Sequence, residues 1–130
     1  MRYDRPLPPG QFALRKITDP REIPDFTTAC RDLTNLRKAI DHSLSYLHKP
    51  SSQTFYPSGQ IAHGQALESV QAFADMLDAG LSGSQLNDEI RMKFDVYISV
   101  GCDDRGTVLF TGYYTPIFEG SLEQIGRAHV

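Results

Sequence analysis

The chain has 130 residues, enough for one ordinary domain with a modest hydrophobic core. Hydrophobic residues make up 40% and charged residues 22%, the balance of a globular protein rather than a disordered or fibrous one. A net charge of −3 argues against a nucleic-acid partner, which calls for a basic face, and no apolar run is long enough to span a membrane.

Residues 1–24 hold Pro6, Pro8, Pro9, Gly10, Pro20 and Pro24, so they read as an extended lead-in with little helix. Residues 1–21 are basic, whereas residues 66–104 are strongly acidic, as a solvated helical face would be. Arg2, Arg5 and Arg15 are expected to be solvated charges. Over 26–48, Leu33, Leu36, Ile40, Leu44 and Leu47 recur at spacings of three and four, which predicts a helix with one apolar face. Pro50 and Ser51-Ser52 end it. The loop from Ser51 to Gly64 carries Phe55 and Tyr56, expected to cap the core. A second helix is predicted over 65–79, with Leu67, Val70, Phe73, Ala74 and Leu77 buried and Gly80 as a left-handed C-terminal cap. A third is predicted over 84–94, capped by Ser84 and packed through Leu86, Ile90 and Phe94. Strands follow at 95–100 and 107–115, joined by a turn from Gly101 to Gly106 into an antiparallel hairpin. Helices first and strands second give an α+β class.

Few residues outside the last strand suggest chemistry. Cys30 and Cys102 specify neither a disulfide framework nor a zinc site and read as unpaired, partly buried thiols. His42, His48 and His63 lack metal-ligand spacing, so solvated or capping roles are expected. Gly101-x4-Gly106 lacks the lysine of a phosphate-binding loop, and no Gly-x-Ser-x-Gly nucleophile elbow is present. Asp103 and Asp104 sit beside Arg105-Gly106 and read as turn carboxylates.

Residues 111–121, Thr-Gly-Tyr-Tyr-Thr-Pro-Ile-Phe-Glu-Gly-Ser, are the most informative run. In a strand, Thr111, Tyr113 and Thr115 share one face, and Phe110, Gly112 and Tyr114 the other. Pro116 stops regular pairing. Two readings stand on the residues alone. The commoner is a strand with Thr for β-propensity and Tyr for packing; the other is a hydroxyl-bearing face for a sugar.

The run Leu109-Phe110-Thr111-Gly112-Tyr113-Tyr114-Thr115-Pro116, followed by Gly120-Ser121, resembles the MltA family of lytic murein transglycosylases. The upstream Phe94-Asp95-Val96-Tyr97 and the helical region before it are similar as well, so that residues 25–121 look like the N-terminal part of the family's domain. The resemblance implies that the hairpin belongs to a double-psi β-barrel, incomplete within this chain. It also implies cleavage of the MurNAc-β-1,4-GlcNAc bond of peptidoglycan with formation of a 1,6-anhydromuramoyl end. Thr111 and Tyr113 are the residues carried over as lining the glycan groove, with Thr115 and Tyr114 beside them. The implied partner is a peptidoglycan glycan strand bound by a monomer, with no cofactor and no metal. The implied location is the cell envelope, periplasm or outer membrane, although no export signal is found at Met1.

The family's catalytic Asp lies in a Gly-rich motif toward the C-terminus, and no segment here matches it. Glu119 and Glu123 are not in a matching context. Glycoside cleavage needs an acid to protonate the leaving oxygen, so no catalytic residue is assigned and this chain is expected to be an inactive, marginally stable piece of the enzyme. Residues 125–130 resemble a translated sequencing adapter and are expected to be non-native. Two other readings stay open: a non-catalytic glycan-binding module and a small helical interaction domain.

Overall fold

Apolar residues spaced for helices occupy the middle of the chain, and the order of elements follows from them. The computed structural model describes residues 5–112 and 115. Strand β1 spans Leu14–Lys16, helix α1 Leu36–Leu47, α2 His63–Asp78, α3 Gly83–Lys93 and strand β2 Tyr97–Ser99. Short 3-10 turns cover Pro20–Glu22, Ala29–Arg31 and Pro50–Phe55. The class is α+β. Among the described residues the sheet has two strands and forms no barrel.

The predicted helix over 26–48 is corrected to α1 alone. Two aspartates divert the backbone before it. Asp25 Oδ1 accepts the Thr27 N–H at 2.9 Å and the Thr27 hydroxyl at 2.6 Å, while Asp32 Oδ1 accepts the Thr34 N–H at 3.1 Å. Such Asx turns offer the amides an alternative to the helical ladder. Asn35 then sits at φ 61°, a left-handed conformation that blocks helix propagation into Leu36 from the N-terminal side.

The apolar spacing correctly marks the buried faces. Ile40, Leu44 and Ala74 form one cluster, with Leu36, Leu67 and Val70 packed on it. Cys30, Met76 and Leu86 form a second, flanked by Phe26, Leu33, Ile90 and Phe94. Phe73 and Leu77 border both, which makes the two clusters one continuous core. Leu86 is fully buried, and such a side chain contributes about 1.5–3 kcal/mol through burial alone. Outside the core, Arg37 near the start of α1 donates from Nε and Nη2 to the Asp78 carboxylate at 2.9 and 3.1 Å, joining opposite ends of α1 and α2.

Helix α2 ends as the sequence predicts. Gly80 has φ 79°; its N–H reaches Leu77 O at 3.0 Å and the Leu81 N–H reaches Met76 O at 3.2 Å. This is a Schellman cap, with Leu81 packed against the core that holds Met76. The start of α3 is corrected: Ser82, not Ser84, is the cap residue. Its backbone is extended, and its carbonyl accepts the Leu86 N–H at 3.3 Å. Phe55 is also corrected, because it is 70% exposed rather than a lid on the core.

The hairpin of 95–100 with 107–115 is overturned for the described residues. Strand β2 pairs with β1 from the lead-in, antiparallel, with Leu14 opposite Ser99, Arg15 opposite Ile98 and Lys16 opposite Tyr97. Residues 107–112 form no strand. The turn itself supplies the reason. Asp103 accepts the Thr107 hydroxyl at 2.7 Å and the Arg105 N–H at 3.0 Å, and the Gly106 N–H reaches Val100 O at 2.8 Å. The Thr107 N–H also faces Asp103 Oδ1, at 3.4 Å, instead of a ladder partner. Gly101, at φ 68°, lets the Thr107 backbone approach so closely that a Cβ there would lie 2.6 Å from Thr107 N.

The lead-in is held by α3. Asn87 Oδ1 accepts the Phe26 N–H at 2.8 Å. One turn on, Arg91 donates to Ile23 O and Pro24 O at 2.8 Å and to Pro20 O at 3.1 Å. Residues four apart share a helix face, so one stripe of α3 fixes residues 20–26.

Candidate functional site

The predicted hydroxyl run begins where the closed turn ends. Thr111, Gly112 and Thr115 are exposed and outside regular secondary structure. Tyr113 and Tyr114 lie outside the described residues, as do Glu119, Glu123 and residues 125–130. The three apolar residues leading into Thr111 are open: Val108, Leu109 and Phe110 are 43%, 57% and 91% exposed. The common face predicted from a period of two is therefore not built by a strand across 107–112.

A cleft of about 440 Å³ opens elsewhere, between β1 and the turn at 58–61. The turn closes on itself through Ser58 N–H to Ile61 O at 2.9 Å and Ile61 N–H to Ser58 O at 3.0 Å. Phe12 ties it to the strand: its ring stands 3.3 Å from where a Cβ on Gly59 would be. Tyr97 of β2, Gln11, Gln60 and Ser58 line the opening. Arg15 lies 3.7 Å from Asp104, and Lys16 lies 3.0 Å from Asp95, all with half-exposed or more exposed side chains. Sequence reasoning missed this cleft because β1 was read as lead-in.

The fold also brings Ser52 and His63 together, with Oγ and Nε2 2.9 Å apart. The pair has the look of a nucleophile and its base, but proton accounting excludes that. Nε2 is also 2.9 Å from Leu47 O, a carbonyl that can only accept, so Nε2 carries the proton. It then has no lone pair to receive the serine proton, and that proton goes to Lys49 O at 2.7 Å. Ser52 is fully buried. The pair satisfies carbonyls at the C-terminal end of α1, a helix end that leaves acceptors unpaired. A capping role for a histidine is thus found at His63, whose ring also meets Tyr56 edge-on at 5.2 Å.

Five described aspartates are held as carboxylates rather than tuned as proton donors. The shifts resolved at Asp19, Asp25, Asp32, Asp78 and Asp103 are all downward, each led by a hydrogen bond from a neighbouring side chain. A general acid at neutral pH needs the opposite. Asp103 is held down chiefly by the Thr107 hydroxyl, then by the Arg105 amide. Both cysteines are free; Cys30 is buried and its thiol pKa is raised, mainly by desolvation. Among the described residues no three His, Cys, Asp or Glu side chains converge as metal ligands. No described helix is long and apolar enough to cross a membrane.

Comparison with protein-family models, with curated proteins and with solved structures yields no match.

Proposed function

We propose that this chain supplies one wall of a peptidoglycan-binding groove in a lytic transglycosylase of the MltA type. The observation that carries the proposal is the run Leu109 to Ser121, whose Thr-Gly-Tyr-Tyr-Thr-Pro core resembles the groove motif of that family. The exposure of Thr111 and Thr115 is consistent with it, since a groove residue has to be free to meet a sugar. In this reading Thr111 and Tyr113 position the glycan, Tyr114 and Thr115 flank them, and the exposed Val108 to Phe110 run belongs to a strand of a double-psi β-barrel. The parent reaction cleaves the MurNAc-β-1,4-GlcNAc bond, and the C6 hydroxyl of muramic acid attacks in place of water. Threonine and tyrosine hydroxyls are poor acids near neutral pH, so this chain binds glycan without cleaving it. Its place of action is the cell envelope.

Sedimentation with purified murein sacculi tests the proposal. The wild-type chain is expected to pellet with sacculi, and the Thr111→Ala, Tyr113→Ala double variant to pellet less. Equal pelleting of the two proteins refutes the assigned wall. Release of anhydromuropeptides by the chain refutes the absence of acid chemistry.

A further inference from the structure

We propose that the cleft between β1 and the 58–61 turn is a second glycan site, one that takes a short, neutral pyranose oligosaccharide. The choice of an N-acetylhexosamine oligomer rests on the reading above; the neutral-sugar chemistry rests on the cleft itself.

The size comes first. A volume of about 440 Å³ lies within the ~300–1,000 Å³ usual for small-ligand sites. The lining then narrows the ligand. Phe12, 49% exposed, and Tyr97 present aromatic surface at the opening, and a pyranose ring offers a matching face of C–H bonds. Gln11 and Gln60 are exposed, and each amide offers donors and an acceptor together, the combination that adjacent sugar hydroxyls require. The Ser58 hydroxyl adds another donor and acceptor.

Charge excludes the competing ligands. Each cation at the cleft faces a carboxylate: Arg15 faces Asp104, and Lys16 faces Asp95. The local field is balanced, so a phosphate or a polyanion gains nothing from it. A wholly apolar ligand would cover the two amides without offering them partners. The cleft walls are also well braced. The Ser58–Ile61 bridge closes the turn, and the Phe12 ring rests on Gly59. A preformed site avoids the ordering cost that weakens binding by mobile loops.

The test is a titration of the isotope-labelled chain with chitotetraose, followed by amide NMR. Shifts are expected at residues 11–16, 58–61 and 97. The Gln11→Ala, Gln60→Ala double variant removes two exposed side chains and should leave the fold intact. It is expected to weaken binding about tenfold. Shifts confined to residues 107–115, or affinity unchanged in the double variant, overturn the cleft site and leave the groove proposal standing. Cleft shifts in a chain that fails to pellet with sacculi support the cleft site and refute the groove proposal. Inorganic phosphate producing the same shifts with equal affinity overturns the assignment to a neutral sugar.

Discussion

Asn87 and Arg91 act on the same seven-residue segment, so their contributions to stability are expected to be strongly non-additive. Asn87 is 7% exposed and gives Phe26 its hydrogen-bond acceptor. In Asn87→Ala the Phe26 N–H loses its partner in a partly buried position, which costs about 1–2 kcal/mol. Arg91→Ala removes three charge-assisted bonds, but the carbonyls of Pro20, Ile23 and Pro24 regain water, so about 1–2 kcal/mol is expected here too. Either loss frees part of residues 20–26. Once the segment is free, the second anchor has little left to hold. The double variant should therefore lose about 1–3 kcal/mol, roughly 1 kcal/mol less than the sum of the singles. With an unfolding entropy of about 2.1 cal/mol/K per residue, each kcal/mol lowers the midpoint of a 130-residue chain by about 4 °C. Urea and thermal unfolding followed by far-UV circular dichroism read both quantities. Hydrogen exchange adds a local readout, because β1 lies just before this segment and its amides should exchange faster in all three variants. Additivity within about 0.3–0.5 kcal/mol refutes the shared-clamp reasoning.

Other outcomes follow from single sites. Leu86→Ala, at a fully buried position, is expected to lose about 2–5 kcal/mol in urea unfolding, whereas Met92→Ala, 71% exposed, should stay within about 0.5 kcal/mol of wild type. Gly80→Ala should cost about 1–2 kcal/mol from left-handed strain alone. Gly101→Ala adds a collision with the Thr107 backbone and should lose at least about twice as much; equal losses at the two glycines would refute that close approach. The pH dependence has a fixed sign. Asp19, Asp25, Asp32 and Asp103 have folded-state pKa values below those of free carboxylates, so the unfolded chain binds more protons in acid. Their stabilisation is present above about pH 4 and lost as pH falls through the folded-state values. The urea midpoint should drop between about pH 4 and pH 2, and a midpoint that rises on acidification contradicts the hydrogen bonds assigned to these groups.

The helical core was legible because it rests on one strong signal. Ile40, Leu44 and Ala74, and Leu86 with Ile90 and Phe94, sit at helical spacing and turn inward. The Gly80 cap was legible for a related reason: a glycine directly after an apolar helical run suits the φ of 79° found there. The sheet was not legible. Leu14–Lys16 is three residues long, carries two cations and follows a proline-rich stretch, so nothing local distinguishes it from coil. Its pairing with Tyr97–Ser99 spans more than 80 residues and is decided by α3, which holds 20–26 and so brings β1 back to β2. Thr107 to Phe110 shows the converse error. Its composition suits a strand, but the Thr107 amide and hydroxyl are engaged by Asp103 before a ladder can use them. The cleft was invisible for the same reason as the sheet, since its walls come from residues 11–16, 58–61 and 97.

Two departures from the sequence reading, the shortened first helix and the missing hairpin, come from the same side-chain chemistry. Asp25, Asp32 and Asp103 each turn back to bind an amide two residues ahead, and Asp25 and Asp103 take a threonine hydroxyl as well. A carboxylate used in this way favours its ionised form, because that form accepts more strongly. The hydrogen bonds that shape the turns therefore also hold these carboxyl groups low in pKa, and a group so engaged cannot be poised to donate a proton near neutrality. Asp103, the carboxylate nearest in sequence to the Thr111 run with a resolved shift, is the clearest case. Substituting it with Asn would keep an acceptor for the Arg105 amide while removing the charge. If glycan binding at Thr111 depends only on the shape of the 100–107 turn, the Asp103→Asn chain should still pellet with sacculi, and Asp103→Ala, which opens the turn, should pellet less.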